Sequence, residues 1–455
     1  VRNALPHFLC LHLAFQIPRV NILQVIRGID PRERLAFRLH LSYSVLEGFS
    51  LGVLALNEFV FVKSLHGTPL QLSFLFQFSM IVFLFLVFLN EFIRRTRNRK
   101  RLLRHTALIT RLPLLLLGFF PLSHAQVLAQ GWWHAAFLGI FLVYYLGSPV
   151  IYPSINLLLK QNYRLENFGK LYSYATSLNK VVMMVTTFIY GLLLDANHYA
   201  FVYVFPLIGL ISVLSGFVLS AIPYVPEEDT VKRKGIQDAV RTSIVNMVDV
   251  LRSNQPYRHF EIGFMLYGFA FMSTVTVIVL FFYEGLNLSY SSVAFYRNAY
   301  NVGAILLLPM AGRLIGHLGP RRFAMIAFGS IAGYLLSLVL TQRFPLGFNV
   351  AGIEIYWGLL LYIAFHSVFA SSMPLLWNIG SAYFSSPAKA GLYQEIHLSL
   401  TGFRAVFSPL IGVLLYEAFG FTATFLTGTA VLILAMGFLY WSYTRSKLPI
   451  DDQAN

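Results

Sequence analysis

The chain has 455 residues, 57% of them hydrophobic and only 12% charged, with a formal net charge of +15. That balance excludes a single soluble domain and fits a polytopic membrane protein. Apolar windows separate the basic residues, so their excess indicates topology rather than nucleic acid, and a single cysteine, Cys10, excludes an intramolecular disulfide or a cysteine-cluster metal site.

Residues 1–36 mix apolar side chains with Arg19, Arg27, Arg32 and Arg34, and Pro6, Pro18 and Pro31 interrupt the run. A basic, partly amphipathic interfacial segment is expected there, with no cleaved signal peptide. Twelve spanning candidates follow, at 37–62, 70–93, 102–121, 132–157, 168–193, 199–221, 258–283, 289–311, 322–341, 352–378, 389–415 and 419–442. Each can cross a hydrocarbon layer of roughly 30 Å at about 1.5 Å per residue. They form an N-terminal six-helix bundle at 37–221 and a C-terminal one at 257–443, followed by a cytoplasmic tail at 444–455. Between the bundles, residues 222–256 form the only long polar run of the interior. Within it Ile236, Val240, Ile244, Met247, Val248 and Leu251 recur at helical spacing. A cytoplasmic linker with a helix on the membrane surface is expected.

Charge tests this layout. With the N-terminus inside, 28 of the 34 Lys and Arg residues fall on inside segments and only Lys63 and Arg343 on outside connections. The remaining four, Arg111, Lys180, Arg297 and Arg404, lie deeper within spans. Both termini are therefore expected in the cytoplasm, with the chain in the plasma (inner) membrane. A shift of 221 residues places Pro153 on Pro374, Leu171-Tyr172 on Leu392-Tyr393, Gly191 on Gly412 and Lys100-Arg101 on Arg321-Arg322. One offset shared by all of them implies two related halves about an axis along the membrane normal.

Between spans 8 and 9 the chain reads Gly312-Arg-Leu314-Ile-Gly316-His317-Leu-Gly319-Pro320-Arg321-Arg322. With the two six-helix halves and the polar middle loop, this resembles the major facilitator superfamily and its cytoplasmic G-x-L-x-D-R-x-G-R-R loop. Gly312, Leu314, Gly319 and Arg321 fit; Gly316 stands where the acid is expected, and His317 and Pro320 stand at basic positions. In the first half only the basic end of Glu91–Arg101 survives. The resemblance covers residues 37–443 and implies an all-α secondary transporter working by alternating access. As a gating loop, Gly312 and Gly319 would permit close helix approach and a tight turn, and Arg321 and Arg322 would hold the loop inside. Span 5 lacks the glycine-proline repeat of drug–proton antiporters, and Pro223–Glu228 is only faintly similar to a sugar-porter motif, so the subfamily stays open.

Ionised groups within spans cost several kcal/mol to bury, so they are the candidate functional residues. Tyr43, Glu47, Leu54 and Glu58 share a helical face in span 1. The competing reading pairs these acids with a basic residue of another helix. Arg111 precedes Pro113 and can snorkel toward the inner surface. Lys180 sits too deep in span 5 for that, on a face with Ser173, Thr176 and Thr187. Span 8 aligns Tyr290, Ala294, Arg297 and Asn301, and span 11 aligns His397, Thr401, Arg404 and Ser408. Lys180, Arg297, Asn301, His397, Thr401 and Arg404 are the candidate solute-binding set; Arg297 and Arg404 are expected to face one cavity. Glu47, Glu58, Arg111, His366 and Glu395 are coupling or ion-pair candidates, although a lone His366 among aromatics also suits a hydrogen-bonded core, and Glu395 a helix contact. Helix breakers at Gly147-Ser148-Pro149, Pro153 and Ser371–Pro374 suit either hinges or packing kinks.

No phosphate loop, H-E-x-x-H or G-x-S-x-G motif is present, so neither ATP-driven transport nor hydrolysis has local support, and no enzyme, cofactor or metal is expected. The expected activity is transport of a small anionic or zwitterionic solute, with protons as candidate coupling ions and membrane lipid as surroundings. A monomer is expected. The alternatives are a non-transporting membrane receptor or assembly scaffold on the same fold, and a lipid flippase. Cysteine tags near Thr230 and Gln453, in a Cys10→Ser background, should resist an impermeant thiol reagent in intact cells; labelling of either from outside would overturn the topology.

Overall fold

The computed structural model describes residues 30–82, 98–224, 236–386 and 389–445. The N-terminal segment with Cys10, residues 83–97 with the end of the expected span 70–93, linker residues 225–235, residues 387–388 and the tail 446–455 lie outside the described residues.

Helix α1 (Pro31–Leu54) starts at Pro31 rather than at residue 37. Proline at the first helical position loses no hydrogen bond, and the Asp30 carboxylate accepts the Arg32 N–H at 3.0 Å. The helix breaks at Ala55-Leu56 and resumes as Asn57–Phe59 and a π-turn, Val60–Ser64. Thr68 and Gln71 form a reciprocal capping box for α2 (Pro69–Ile81). After α3 (Arg99–Arg111), Pro113 accompanies a tightening into 3-10 geometry over Leu112–Phe119. The half continues with α4 (His124–Ala129), α5 (Trp132–Tyr145), α6 (Ser148–Asn162), α7 (Leu165–Ala196) and α8 (Phe201–Ala221). The amphipathic run of the linker forms α9 (Ile236–Ser253).

The second half opens with α10 (Gln255–Leu280) and a π-turn, Phe281–Gly285, then α11 (Tyr290–Arg343). A hairpin of β1 (Gly347–Val350) and β2 (Ile353–Tyr356) precedes α12 (Trp357–Ile379), α13 (Ala390–Ala405) and α14 (Ser408–Arg445). The hairpin corrects the expected span 352–378. Alternating apolar residues around a turn with positive φ at Ala351 and Gly352 favour strand pairing until Trp357. Among the described residues nine helices are long and apolar enough to cross a membrane. Two of these run 54 and 55 residues, and each is broken at a glycine with positive φ, Gly319 at 73° and Gly420 at 78°. A count of twelve therefore requires two crossings in each long helix and one begun by α2, which ends at the edge of the described residues.

Helix α1 packs on α7 and α8, α10 on α14, and α11 on α12 and α14; across the halves α7 meets α11, and α2 meets α13 and α14. The 221-residue offset is written into backbone detail. It carries the π-turn Val60–Ser64 onto Phe281–Gly285. It also carries the positive-φ residue His66 onto Asn287 and the cap Thr68 onto the cap Ser289. Thr187 donates to the Gly52 carbonyl at 2.9 Å, and their offset partners repeat the contact with donor and acceptor exchanged, as Ser273 donates to the Ser408 carbonyl at 2.9 Å.

Of the two glycines in the loop Gly312–Arg322, one departs from expectation. Gly312 is exposed and an added Cβ would meet nothing within 4 Å, so no close helix approach exists there in this conformation. Gly319 does make the tight turn at φ 73°. Arg321 is fully buried and donates to the Ser442 carbonyl and hydroxyl at 3.0 and 3.1 Å, tying the loop to the last turns of α14. Arg322 lies over the Tyr443 ring at 4.0 Å. True close approach occurs at Gly412, where a Cβ would lie 1.8 Å from the Ser273 carbonyl oxygen. Gly412→Ala should thus lower unfolding stability by at least about 1–3 kcal/mol, whereas Gly312→Ala should stay within about 0.5 kcal/mol. Thermal unfolding of the purified proteins checks this, and equal stabilities would refute the assignment of the close contact.

Candidate solute site between the two halves

The two halves meet at the end that charge assigns to the outside. Lys63 Nζ donates to the Leu288 carbonyl at 2.8 Å, and the Ser64 and Tyr290 hydroxyls lie 2.6 Å apart. The Asp195 carboxylate, from the last turn of α7, accepts the first free N–H groups of α11: Tyr290 at 2.7 Å and Ser291 at 2.8 Å. A carboxylate placed at a helix N-terminus satisfies donors that have no partner within the helix and complements the helix dipole. Gly191 lets α7 approach α11 there, since a Cβ would lie 3.0 Å from the Tyr290 carbonyl oxygen. Toward the other end the seam opens: α11 is buried from Tyr290 to Ala294, but Val302, Ile305, Leu306 and Met310 are exposed.

Just inside the seam Arg297 reaches across to α1. It lies 3.4 Å from the Glu58 carboxylate and donates to the Ala55 carbonyl, which the break in α1 leaves without a helical partner. The same break overturns the expected common face of Glu47 and Glu58. Glu58 turns to the other half, whereas Glu47 stays in its own half and accepts the Ser215 hydroxyl at 3.0 Å.

Glu47, Arg111, Tyr144, Tyr145, Tyr152 and Met183 line a cavity of about 230 Å³ that also touches Ala55. Arg111 is buried, stacked 3.7 Å from the centre of the Tyr144 ring and donating to the Tyr144 carbonyl at 2.8 Å, so it does not snorkel to the surface. Asn57 Nδ2 donates to the Tyr145 hydroxyl at 3.4 Å, linking the cavity to the broken segment of α1. Lys180 is half-buried, and among the described residues no hydrogen bond or ion pair reaches its ammonium. Asn179 donates to the Ser44 carbonyl and Thr187 to the Gly52 carbonyl, so that side of α7 holds α1. Its Met184 side holds Asn298 of α11. At about 100° per residue Lys180 falls on the arc between these faces, toward the opening between the halves.

Apart from Arg297, the buried charges among the described residues of the second half find partners within it. His397 Nδ1 lies 3.0 and 3.1 Å from the two Glu261 carboxylate oxygens, and both residues are buried. Arg404 donates to the Phe264 carbonyl and lies over the Tyr267 ring at 5.4 Å, with Gly268 leaving room for its guanidinium. Thr401 is buried in the same helix. Arg297 and Arg404 therefore do not share the lined cavity: one bridges the seam, and the other is packed within its own half. Asn301 donates back to the Arg297 carbonyl at 2.7 Å. His366 is sandwiched between Tyr300 and Tyr334, with ring centres at 3.8 and 5.0 Å, which is an aromatic core position. Glu395 is exposed. Sequence reasoning missed Asp195, Glu261 and the three cavity tyrosines. Asp195 falls just past an expected span end, Glu261 near an expected span start, and tyrosine carries no periodic signal in an aromatic-rich chain.

The Glu58–Arg297 pair bridges the two halves; if it helps to keep them together, Glu58→Gln or Arg297→Gln should favour opening at the Tyr290 end. A cysteine at Ala294, which faces Gly191 in the seam, should then react with an impermeant thiol reagent several-fold faster in a Cys10→Ser background. Unchanged labelling in both variants would remove the pair from gating.

Residues 42–394 match the family model of the Major Facilitator Superfamily. Among solved structures, the nucleoside transporter NupG superposes with a TM-score of 0.65 at 13% identity, covering 92% of this chain and 100% of that one. A D-xylose–proton symporter gives 0.60 at 16% identity, covering 90% and 96%. A structure of proton-dependent oligopeptide transporters gives 0.61 at 13%, covering 91% and 100%. At these identities the likeness is one of fold. No curated protein sequence matches. With a family match over most of its length, apolar helices able to cross a membrane and two halves that part at one end, the chain belongs to the major facilitator superfamily and is a membrane transporter rather than an enzyme.

Proposed function

We propose that the chain moves a small zwitterionic or anionic solute by alternating access, in the plasma (inner) membrane, with both termini cytoplasmic. The observation that carries this reading is Lys180. Arg297 is engaged by Glu58, Arg404 is packed in its own half and Arg111 is stacked on Tyr144. Lys180 is left as the cation in reach of the opening without a partner among the described residues. A half-buried ammonium within a span favours an anion, and a carboxylate or phosphate of the solute supplies one. Glu47 and the tyrosine hydroxyls of the cavity offer acceptors and donors for the rest of the solute, including an ammonium. Proton coupling is assigned to Glu58: its partner lies in the other half, so rocking separates them, and protonation removes the cost of the unpaired carboxylate.

A thermal-shift screen of metabolites with the purified chain identifies the ligand, and flux in proteoliposomes establishes transport. Lys180→Met should weaken binding of the acidic solute by at least roughly thirtyfold, the low end of a lost charged contact, and spare a neutral analogue. In the same vesicles Glu58→Gln should abolish proton-driven accumulation while leaving solute exchange. A ligand bound with wild-type affinity by Lys180→Met would overturn the site, and absence of flux with a bound ligand would favour a receptor.

A further inference from the structure

The hairpin at 347–356 has two chemically distinct faces. Cross-strand pairs are Phe348 with Ile355 and Val350 with Ile353, and the Trp357 N–H continues the ladder to the Leu346 carbonyl at 3.0 Å. Alternation therefore collects Leu346, Phe348, Val350, Ile353, Ile355 and Trp357 on one side. The other side carries Gly347, Asn349, Glu354 and Tyr356. The polar side is engaged. Glu354 accepts the Ser289 N–H at 3.2 Å, the Ser289 hydroxyl at 2.9 Å and the Ser292 hydroxyl. The Tyr296 hydroxyl donates to the Glu354 carbonyl at 2.9 Å and accepts the Tyr356 N–H at 2.9 Å. Every one of those partners lies at the start of α11, the helix end that the other half latches through Asp195.

The apolar side is uncovered: Leu346, Phe348, Val350 and Trp357 are between 44% and 66% exposed. A soluble surface rarely presents such a contiguous group of large apolar side chains. The two spans it joins carry exposed apolar stripes at four-residue spacing that lead to it, Leu336, Leu340 and Phe344 on one side and Trp357, Leu361 and Phe365 on the other. Those helix positions face lipid in a membrane-spanning chain, and Trp357 stands at the mouth of its helix, where an indole suits the headgroup boundary.

We propose that this hairpin is a membrane-interface anchor: its Leu346–Phe348–Val350–Trp357 face is seated in the lipid leaflet at the sealed end, while its Glu354 face clamps the start of α11. The partner is the bilayer itself. The anchor ties the position of the α11 terminus, and with it the latch to Asp195, to the depth of the leaflet.

The full chain in lipid nanodiscs, in a Cys10→Ser background, tests this with spin labels at Phe348→Cys and Val350→Cys on one face and Asn349→Cys on the other. These exposed positions can carry a label without disturbing the core. Oxygen, which concentrates in lipid, should relax the labels at 348 and 350 more than a water-soluble nickel chelate does, and the order should reverse at 349. Nickel access at 348 and 350 equal to that at 349 would overturn the proposal in favour of a water-exposed hairpin. Labels at 348 and 350 shielded from both reagents would overturn it in favour of a covering protein, such as a second copy of the chain.

Discussion

The Lys63 ammonium donating to the Leu288 carbonyl, with the Ser64 and Tyr290 hydroxyls paired beside it, joins two copies of the same turn. In each half a π-turn, then a positive-φ residue, then a hydroxyl cap lead from one span into the next. A π-turn widens the helix and leaves carbonyls turned outward, and within a membrane such groups need partners. The loop after each turn supplies them: the Leu65 and Gly67 N–H groups donate to the Val60 and Phe61 carbonyls, and those of Leu286 and Leu288 donate to Phe281 and Phe282. Asp195 and Arg297 extend the seam by the same logic, one satisfying free N–H groups and the other a free carbonyl. Each makes only two polar contacts, so the seam can hold one state without making it permanent.

Buried charges in this chain divide by whether their partners lie in the same half. Glu261 and His397 sit on α10 and α13, and Arg404 leans on the carbonyl of Phe264 in α10. Rigid rocking of the halves leaves such contacts intact, so they hold the second bundle together. Glu58 and Arg297 lie on opposite sides of the seam, and the same rocking must break them. Only an interaction that differs between two states can bias the equilibrium between them. That criterion separates Glu58 from Glu261 although both are carboxylates within spans.

Architecture was legible in the sequence because its signals are additive over many residues. Apolar run length is summed over twenty residues or more, and an error at one position is averaged away. The 221-residue offset was read from weak identities, yet it superposes π-turns, caps and a hydrogen-bonded pair to the residue. Site geometry resisted because it turns on single backbone events. The break at Ala55-Leu56 rotates Glu58 away from the face of Glu47, which a continuous 3.6-residue period cannot anticipate. Gly312 and Gly412 look alike in sequence, but only the second faces a carbonyl. The hairpin at 347–356 was absorbed into a span because its apolar residues satisfy the hydropathy of a helix while alternating as a strand.

The broken segment of α1 belongs to the cavity and to the seam at once. Ala55 touches the cavity, while its carbonyl accepts Arg297; two residues on, Asn57 holds the Tyr145 hydroxyl, and Glu58 meets Arg297 again. In the proposed site, a solute donor that takes the acceptor position of the Tyr145 hydroxyl displaces Asn57 and so changes what the segment gains by staying where it is. Loss of that contact is transmitted within one helical turn to both acceptors of Arg297. No long chain of intermediates is needed, because the responding element has two sets of partners and occupies a single turn. The helix break that defeats a periodic reading of the sequence is therefore the place where the lined cavity and the contacts of Arg297 across the seam share one short segment.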